Sequence, residues 1–318
     1  MYIPFISSPS TSTTSRRRLF RRKGGGGGGR GGGSRGGRSG SSGSSGGGGS
    51  SGASGSRGSV STPGFAGSRS ISSSSSGGGA IATVPSGAFA GRSVGGGTRN
   101  QVFGTRQYGS GYPGVVGAGV AGRGFPFYFW PVTWGGAAGV GTAAYLHNRN
   151  DDEYGRPDNS SRPGGATTYA TFVSNASSGN NTYHIVADNS TVASLVASIN
   201  SKCSSFLDTT TNNAGILPFN ASLTKPENAI QYYRASSVVL TLDGYNNSAV
   251  FSNDTNAPDS PLPTNLNMTV LDCLNRTIGE SVPLVDAATS SGSNGAVGMG
   301  GRTEGHRLTG VIALVVVF

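Results

Sequence analysis

The chain has 318 residues, of which 56 are Gly and only 34% are hydrophobic. So little apolar surface cannot order the whole length against backbone entropy, which excludes two ordinary domains side by side. Residues 1–123 hold fifteen of the 24 bases and no acid, whereas 124–318 sum to −5. This is the pattern of a basic arm on an acidic domain, not of a uniformly basic nucleic-acid-binding fold.

Residues 1–15 contain no apolar stretch of signal-peptide length, so no secretory signal is visible in them. A dense basic run (RRRLFRRK, 16–23) follows, and Gly and Ser then dominate to residue 111. Residues 1–111 are therefore expected to be a disordered basic arm. Residues 112–146 are Gly-rich but apolar, with Phe125, Phe127, Phe129, Trp130 and Trp134 in an uncharged stretch from 124 to 146. That length would span a bilayer, but Pro126, Pro131 and frequent Gly argue against a membrane helix. A membrane surface, or the surface of the domain, is the expected home of those aromatics. Residues 147–166 read as a polar linker rich in turn residues.

Periodicity begins after the linker. Residues 168–173 and 182–187 are β-rich runs around a polar turn, which predicts a hairpin. Asp188, Asn189 and Ser190 offer helix caps. Val192, Leu195, Val196, Ile199 and Cys203 then recur on one helical face. Pro226 suits the start of a short helix through Tyr233. Residues 237–242 predict a third strand, stopped by Asp243-Gly244. Thr264 could cap a last helix with the stripe Leu266, Val270, Cys273, Leu274 and Ile278. The expectation is one small α+β domain over 167–286, ordered β-β-α-α-β-α, followed by a spacer (287–307) and a hydrophobic tail (308–318).

Three features point to the cell surface. Asn159, Asn175, Asn180, Asn189, Asn220, Asn246, Asn253, Asn267 and Asn275 each open an Asn-x-Ser/Thr sequon, which predicts a glycosylated ectodomain. Cys203 and Cys273 fall on the apolar stripes of the first and last helices, so a disulfide between them is expected. The tail LTGVIALVVVF is too short to span as a helix. It follows an eleven-residue spacer (297–307) and the small residues near Ser293 and Asn294, as in a GPI attachment signal.

Other motifs carry less. A GxGxxG match at 117–122 lacks the following helix and the acid that a dinucleotide site needs, so no cofactor is expected. A GxSxG match at 32–36 sits in the flexible tract. His147, His184 and His306 are too scattered for a metal site, and Asp151, Asp152 and Glu153 read as a solvated run. Arg-Gly-Gly at Arg30 and Arg35 is the pattern of an RNA-binding arm, but with only two triplets and no interleaved aromatics nucleic acid is not the expected partner. Were the domain an enzyme, Asp243 and Asp188 at the strand ends would be the first residues to suspect, though neither has a His or Lys near it in sequence. The expectation is a non-enzymatic, extracellular surface protein whose arm meets anionic cell-wall polymers or a membrane surface.

The stretches at 127–136 (FYFWPVTWGG), 145–147 (YLH), 153–165 (EYGRPDNSSRPGG) and 231–247 (QYYRASSVVLTLDGYNN) resemble a family of Gly-rich basidiomycete fungal surface proteins. The resemblance covers residues 105–290. It implies a secreted, glycosylated protein to which no activity attaches, and a signal peptide at the start, where this chain departs. The layout is also similar to that of vertebrate prion-like proteins: basic arm, apolar hinge, disulfide-linked helices, lipid anchor.

Overall fold

A computed structural model describes residues 58–61, 63–114, 119–135, 153–208, 210, 215–252, 254 and 256–286. The described chain is α+β. Its centre is a five-stranded antiparallel sheet, built from β5 (Thr167–Val173), β6 (Thr182–Asp188), β7 (Leu217–Pro218), β8 (Ala229–Tyr233) and β9 (Val238–Leu242) in the order β7-β5-β6-β9-β8. The expected hairpin is β5–β6, with Phe172 opposite Tyr183 and Thr167 opposite Asp188. The next element is α1 (Asn189–Cys203), whose buried side chains Val192, Leu195, Ile199 and Cys203 are the predicted stripe. Asp188 caps it by accepting from the Thr191 amide.

Two elements differ from the prediction. Pro226 opens only a single 3-10 turn, Pro226–Asn228, and residues 229–233 are strand β8. The local proline signal loses to pairing: Ala-Ile-Gln-Tyr-Tyr suits a pleated sheet, and both of its edges find partners. One is β9. The other is the 102–105 segment, where Tyr232 N donates to Thr105 O and Arg234 N to Val102 O. The last helix, α2 (Met268–Ser281), is capped by Asn267, whose Oδ1 accepts from Thr269 N and Val270 N, and not by Thr264. The described order after β5–β6 is thus α1, three short strands, α2 and a last two-residue strand.

Neighbouring residues on a strand face opposite ways, and Tyr232 and Tyr233 show what each face of the sheet meets. The Tyr233 hydroxyl donates to Asn275 on α2, 2.7 Å away. Tyr232 lies edge-on to Trp134 and Tyr108, with ring centroids at 6.4 and 5.7 Å. One face therefore carries α2, with α1 bridged to it, and the other meets Trp134 and Tyr108.

The segment that carries them corrects two expectations. Residues 58–111 were assigned to the arm, yet they form strands and turns of the folded unit. β1 (Gly58–Ser61) and β2 (Ser68–Ser72) form a sheet with β10 (Leu284–Val285), and β3 (Ala82–Thr83) pairs with β4 (Ser93–Val94). Phe125, Phe127, Phe129 and Trp134 are buried core, not surface, and only Trp130 is half-exposed. Glycine makes this possible. A Cβ on Gly97 would lie 2.6 Å from the Phe127 ring, and one on Gly109 (φ +88°) 2.3 Å from Gly119 O. Backbone can approach a ring, or another stretch of backbone, that closely only where no side chain intervenes. The described part of the linker also belongs to this layer: Arg162 is buried, donating to Tyr154 O and Pro131 O at 2.5 Å. Residues 58–286 together hold twelve bases and thirteen acids, a net of −1. The acidic balance read from the C-terminal half is nearly cancelled by the N-terminal layer. Residues 1–57 and 287–318 lie outside the described residues.

Candidate functional site

Cys203 closes α1 and Cys273 sits in the second turn of α2. Their Cα atoms are 6.0 Å apart and the sulfurs are bonded at 2.00 Å, spanning 70 residues. A loop of that length contributes about 4 kcal/mol in the chain-entropy model. The bridge staples the two helices on the face of the sheet away from the aromatic layer.

The sequon asparagines divide by exposure. Asn180, Asn189, Asn220 and Asn246 are exposed, at the β5–β6 turn, the start of α1, the turn after β7 and the turn after β9. Asn159 and Asn175 are half-buried in turns; Asn175 Nδ2 donates to Ser205 O at 3.0 Å. Asn267 is the half-buried cap of α2. Asn275 differs from the rest. It lies inside α2, its Oδ1 accepts the Tyr233 hydroxyl, and its sequon threonine, Thr277, is buried beside Cys203 Sγ at 3.4 Å. Asn253, Ser293 and Asn294 lie outside the described residues.

The two suspected aspartates have different surroundings. Asp188 is enclosed: its oxygens accept from Thr191 N (3.0 Å), Thr191 Oγ1 (2.7 Å), Ser190 Oγ (2.8 Å) and the Arg234 guanidinium (2.7 Å). Arg234 is fully buried. It also donates to Pro283 O and Ser237 Oγ, both at 2.7 Å, and lies 3.5 Å above the Phe129 ring. Burial brings its guanidinium down to about 10, against the opposing pull of Asp188. Arg234, Ala235 and Ser236 all have left-handed backbone (φ 50°, 50° and 58°). The turn is held there by Gly109 N donating to Ser236 Oγ and Val132 N to Ser236 O. Asp188 and Arg234 thus join α1, the β8–β9 turn, the start of β10 and the aromatic layer at one point.

Asp243 is exposed, and its Oδ1 accepts from His184 Nε2 at 2.9 Å. The other His184 nitrogen, Nδ1, meets Thr171 Oγ1 at 3.0 Å. Thr171, His184 and Thr241 are cross-strand neighbours on β5, β6 and β9, and Asp243 follows the last. Sequence reading placed no histidine near Asp243, because the pairing depends on the register between strands 59 residues apart. Among the described residues no group of three His, Cys, Asp or Glu side chains could hold a metal ion. No described helix is long and apolar enough to cross a membrane.

The arginines of the N-terminal layer are employed within the fold. Arg69 lies over Phe65 and Tyr128, and Arg92 pairs with Glu153 beside Phe89. Arg99 donates to the C-terminal carbonyls of α2, Gly279 O and Val282 O. Arg106 donates to Ser260 O, and Arg123 lies over Tyr112. Comparisons with protein-family models, curated proteins and solved structures find no match to this chain.

Proposed function

We propose that the chain is a non-enzymatic cell-surface glycoprotein of structural or interaction type, held at the surface by a lipid on its C-terminal region. The observation that carries the reading is the Cys203–Cys273 bridge between the two helices. A disulfide of this kind persists in an oxidising compartment and is reduced in the cytosol of most cells. Two further features support it. Four sequon asparagines are exposed at turns or a helix start, where a glycan would meet solvent and not the core. Residues 308–318, with the spacer before them and the small residues at Ser293 and Asn294, fit a GPI signal.

The positive charge separates into two populations. Five arginines of the N-terminal layer serve the fold, whereas ten bases fall in residues 1–57 with no acid among them. Those ten are the part that would meet an anionic polymer or membrane surface, by an attraction that salt screens. The resemblance to Gly-rich fungal surface proteins agrees with this reading. The test is fractionation of native protein with and without an N-glycan-releasing amidase. A membrane- or wall-associated band that falls toward the mass of the bare polypeptide is the expected result. A cytosolic band that the amidase leaves in place overturns the proposal.

A further inference from the structure

The Asn275 sequon is unlike the exposed ones because it folds into the middle of α2. A sequon is defined by two side chains, the acceptor amide and a hydroxyl two residues on, and an enzyme that modifies it must meet both. On a helix, residues two apart point about 200° away from each other. Here each is also engaged elsewhere. Asn275 is half-buried, and its Oδ1 accepts the Tyr233 hydroxyl at 2.7 Å. Thr277 is buried against α1, with its Oγ1 3.4 Å from Cys203 Sγ. Cys203 is in turn bonded to Cys273, two residues before Asn275. The bridge and the sequon therefore share one stretch of α2, residues 273–277.

We infer that Asn275 is a glycan acceptor gated by the Cys203–Cys273 bridge: it stays empty where the bridge closes on α2 and takes a glycan where it does not. The inference rests on the secreted, glycosylated reading above and adds an order of events to it. Groups that hold α2 precede it in the chain: Cys203 and Tyr233, and Arg99, which donates to Gly279 O and Val282 O. They are inside the oxidising compartment before α2 arrives, so docking and bridge closure can begin as soon as it does. Cys273 follows Cys203 by 70 residues, about 4–14 s of synthesis, which is the timescale of the faster disulfide-forming reactions. Asn189 escapes this competition. Its sequon threonine, Thr191, is also buried in the finished fold, but it enters ahead of α2, while that fold is incomplete. In the transfer itself, Asn275 Nδ2 attacks the anomeric carbon of a lipid-pyrophosphate-linked oligosaccharide. The N–C bond forms, the C–O bond to pyrophosphate breaks, the lipid pyrophosphate leaves and the amide gives up one proton. Bridge closure instead consumes a disulfide donor, which is reduced to a dithiol as the two cysteine thiols are oxidised. Closing the bridge first winds residues 273–277 into α2 and removes the acceptor.

The experiment expresses the full chain in a eukaryotic host as wild type, Cys203→Ser and Ile199→Asp. Occupied asparagines are mapped on total pulse-labelled protein by enzymatic release in heavy-oxygen water. Cys203→Ser opens the bridge and leaves the sequence around Asn275 unchanged. Ile199→Asp puts a charge into the buried face of α1 and should stop α2 docking whatever the bridge does. Occupancy of Asn275 should be low in wild type, rise at least about fivefold in Cys203→Ser and be as high in Ile199→Asp, while Asn180, Asn189, Asn220 and Asn246 hold constant. Equal occupancy in wild type and Cys203→Ser overturns the inference. If Ile199→Asp alone raises it, the fold guards the site without the bridge; if neither variant does, the bridge and the fold leave the sequon's use unchanged. Label at the four exposed asparagines in those cases leaves the surface reading standing. Label at no sequon in any of the three chains sinks the surface reading, and this inference with it.

Discussion

Replacing Arg234 by Met tests the point where the parts of the fold meet. The side chain is fully buried and makes charge-assisted or neutral hydrogen bonds to Asp188, Pro283 O and Ser237 Oγ. Methionine keeps much of the volume over Phe129 but leaves Asp188 buried without its cation and Pro283 O without this donor. Breaking a buried pair from one side costs about 3–5 kcal/mol. Against a total stability of about 5–15 kcal/mol, that is a large fraction. For a folded span of this size it should lower the melting temperature by roughly 10 °C. Urea unfolding followed by the fluorescence of Trp130 and Trp134, with the disulfide intact, measures it. The cycle with Asp188→Asn separates pairing from simple loss of volume: the double variant should cost at least about 1 kcal/mol less than the sum of the singles. Asp188→Asn alone should be destabilising, although asparagine can still cap α1. A cost below about 1 kcal/mol for Arg234→Met would refute the claim that this ion pair ties the layer to the sheet.

Gly97→Ala places a Cβ 2.6 Å from the Phe127 ring and should cost about 1–3 kcal/mol, read from the same unfolding curves; a neutral result would mean that the Gly-rich layer does not sheathe those aromatics. Cys273→Ser should cost about 2–5 kcal/mol, and reductant should lower the wild-type midpoint but not that of the variant. Burial pushes the Tyr183 phenol up to about 12 from 10.0, and Tyr232 and Tyr233 are raised by the same cause. The unfolded chain then loses these protons first, so stability should be flat to about pH 10 and fall between 10 and 12. Midpoints that hold or rise across that window would contradict buried, protonated phenols.

The elements that were legible in the sequence are those whose signal is local and periodic. The β5–β6 hairpin alternates around a polar turn, and α1 repeats its apolar residues behind Asp188. The cysteines could be paired because both fall on such stripes. β8 was misread because Pro226 is a valid local start for a helix, while the two partners that make 229–233 a strand lie at 102–105 and 238–242. The N-terminal layer was hidden by averaging: its composition is that of a flexible chain, yet its few apolar residues are large aromatics and glycine lets backbone close around them. The His184–Asp243 pair, 59 residues apart, follows from strand register, and the Asp188–Arg234 pair, 46 apart, from the left-handed turn between β8 and β9.

The central claim is an extracellular glycoprotein domain, and site-by-site mapping of N-glycans on native protein tests it most directly. Enzymatic release in heavy-oxygen water, followed by peptide mass spectrometry, marks each occupied asparagine. The account predicts label at exposed Asn180, Asn189, Asn220 and Asn246. It predicts none at Asn275, whose side chain holds Tyr233 and whose Thr277 is buried under the disulfide. Label at no sequon, or at Asn275 in folded protein, would contradict it.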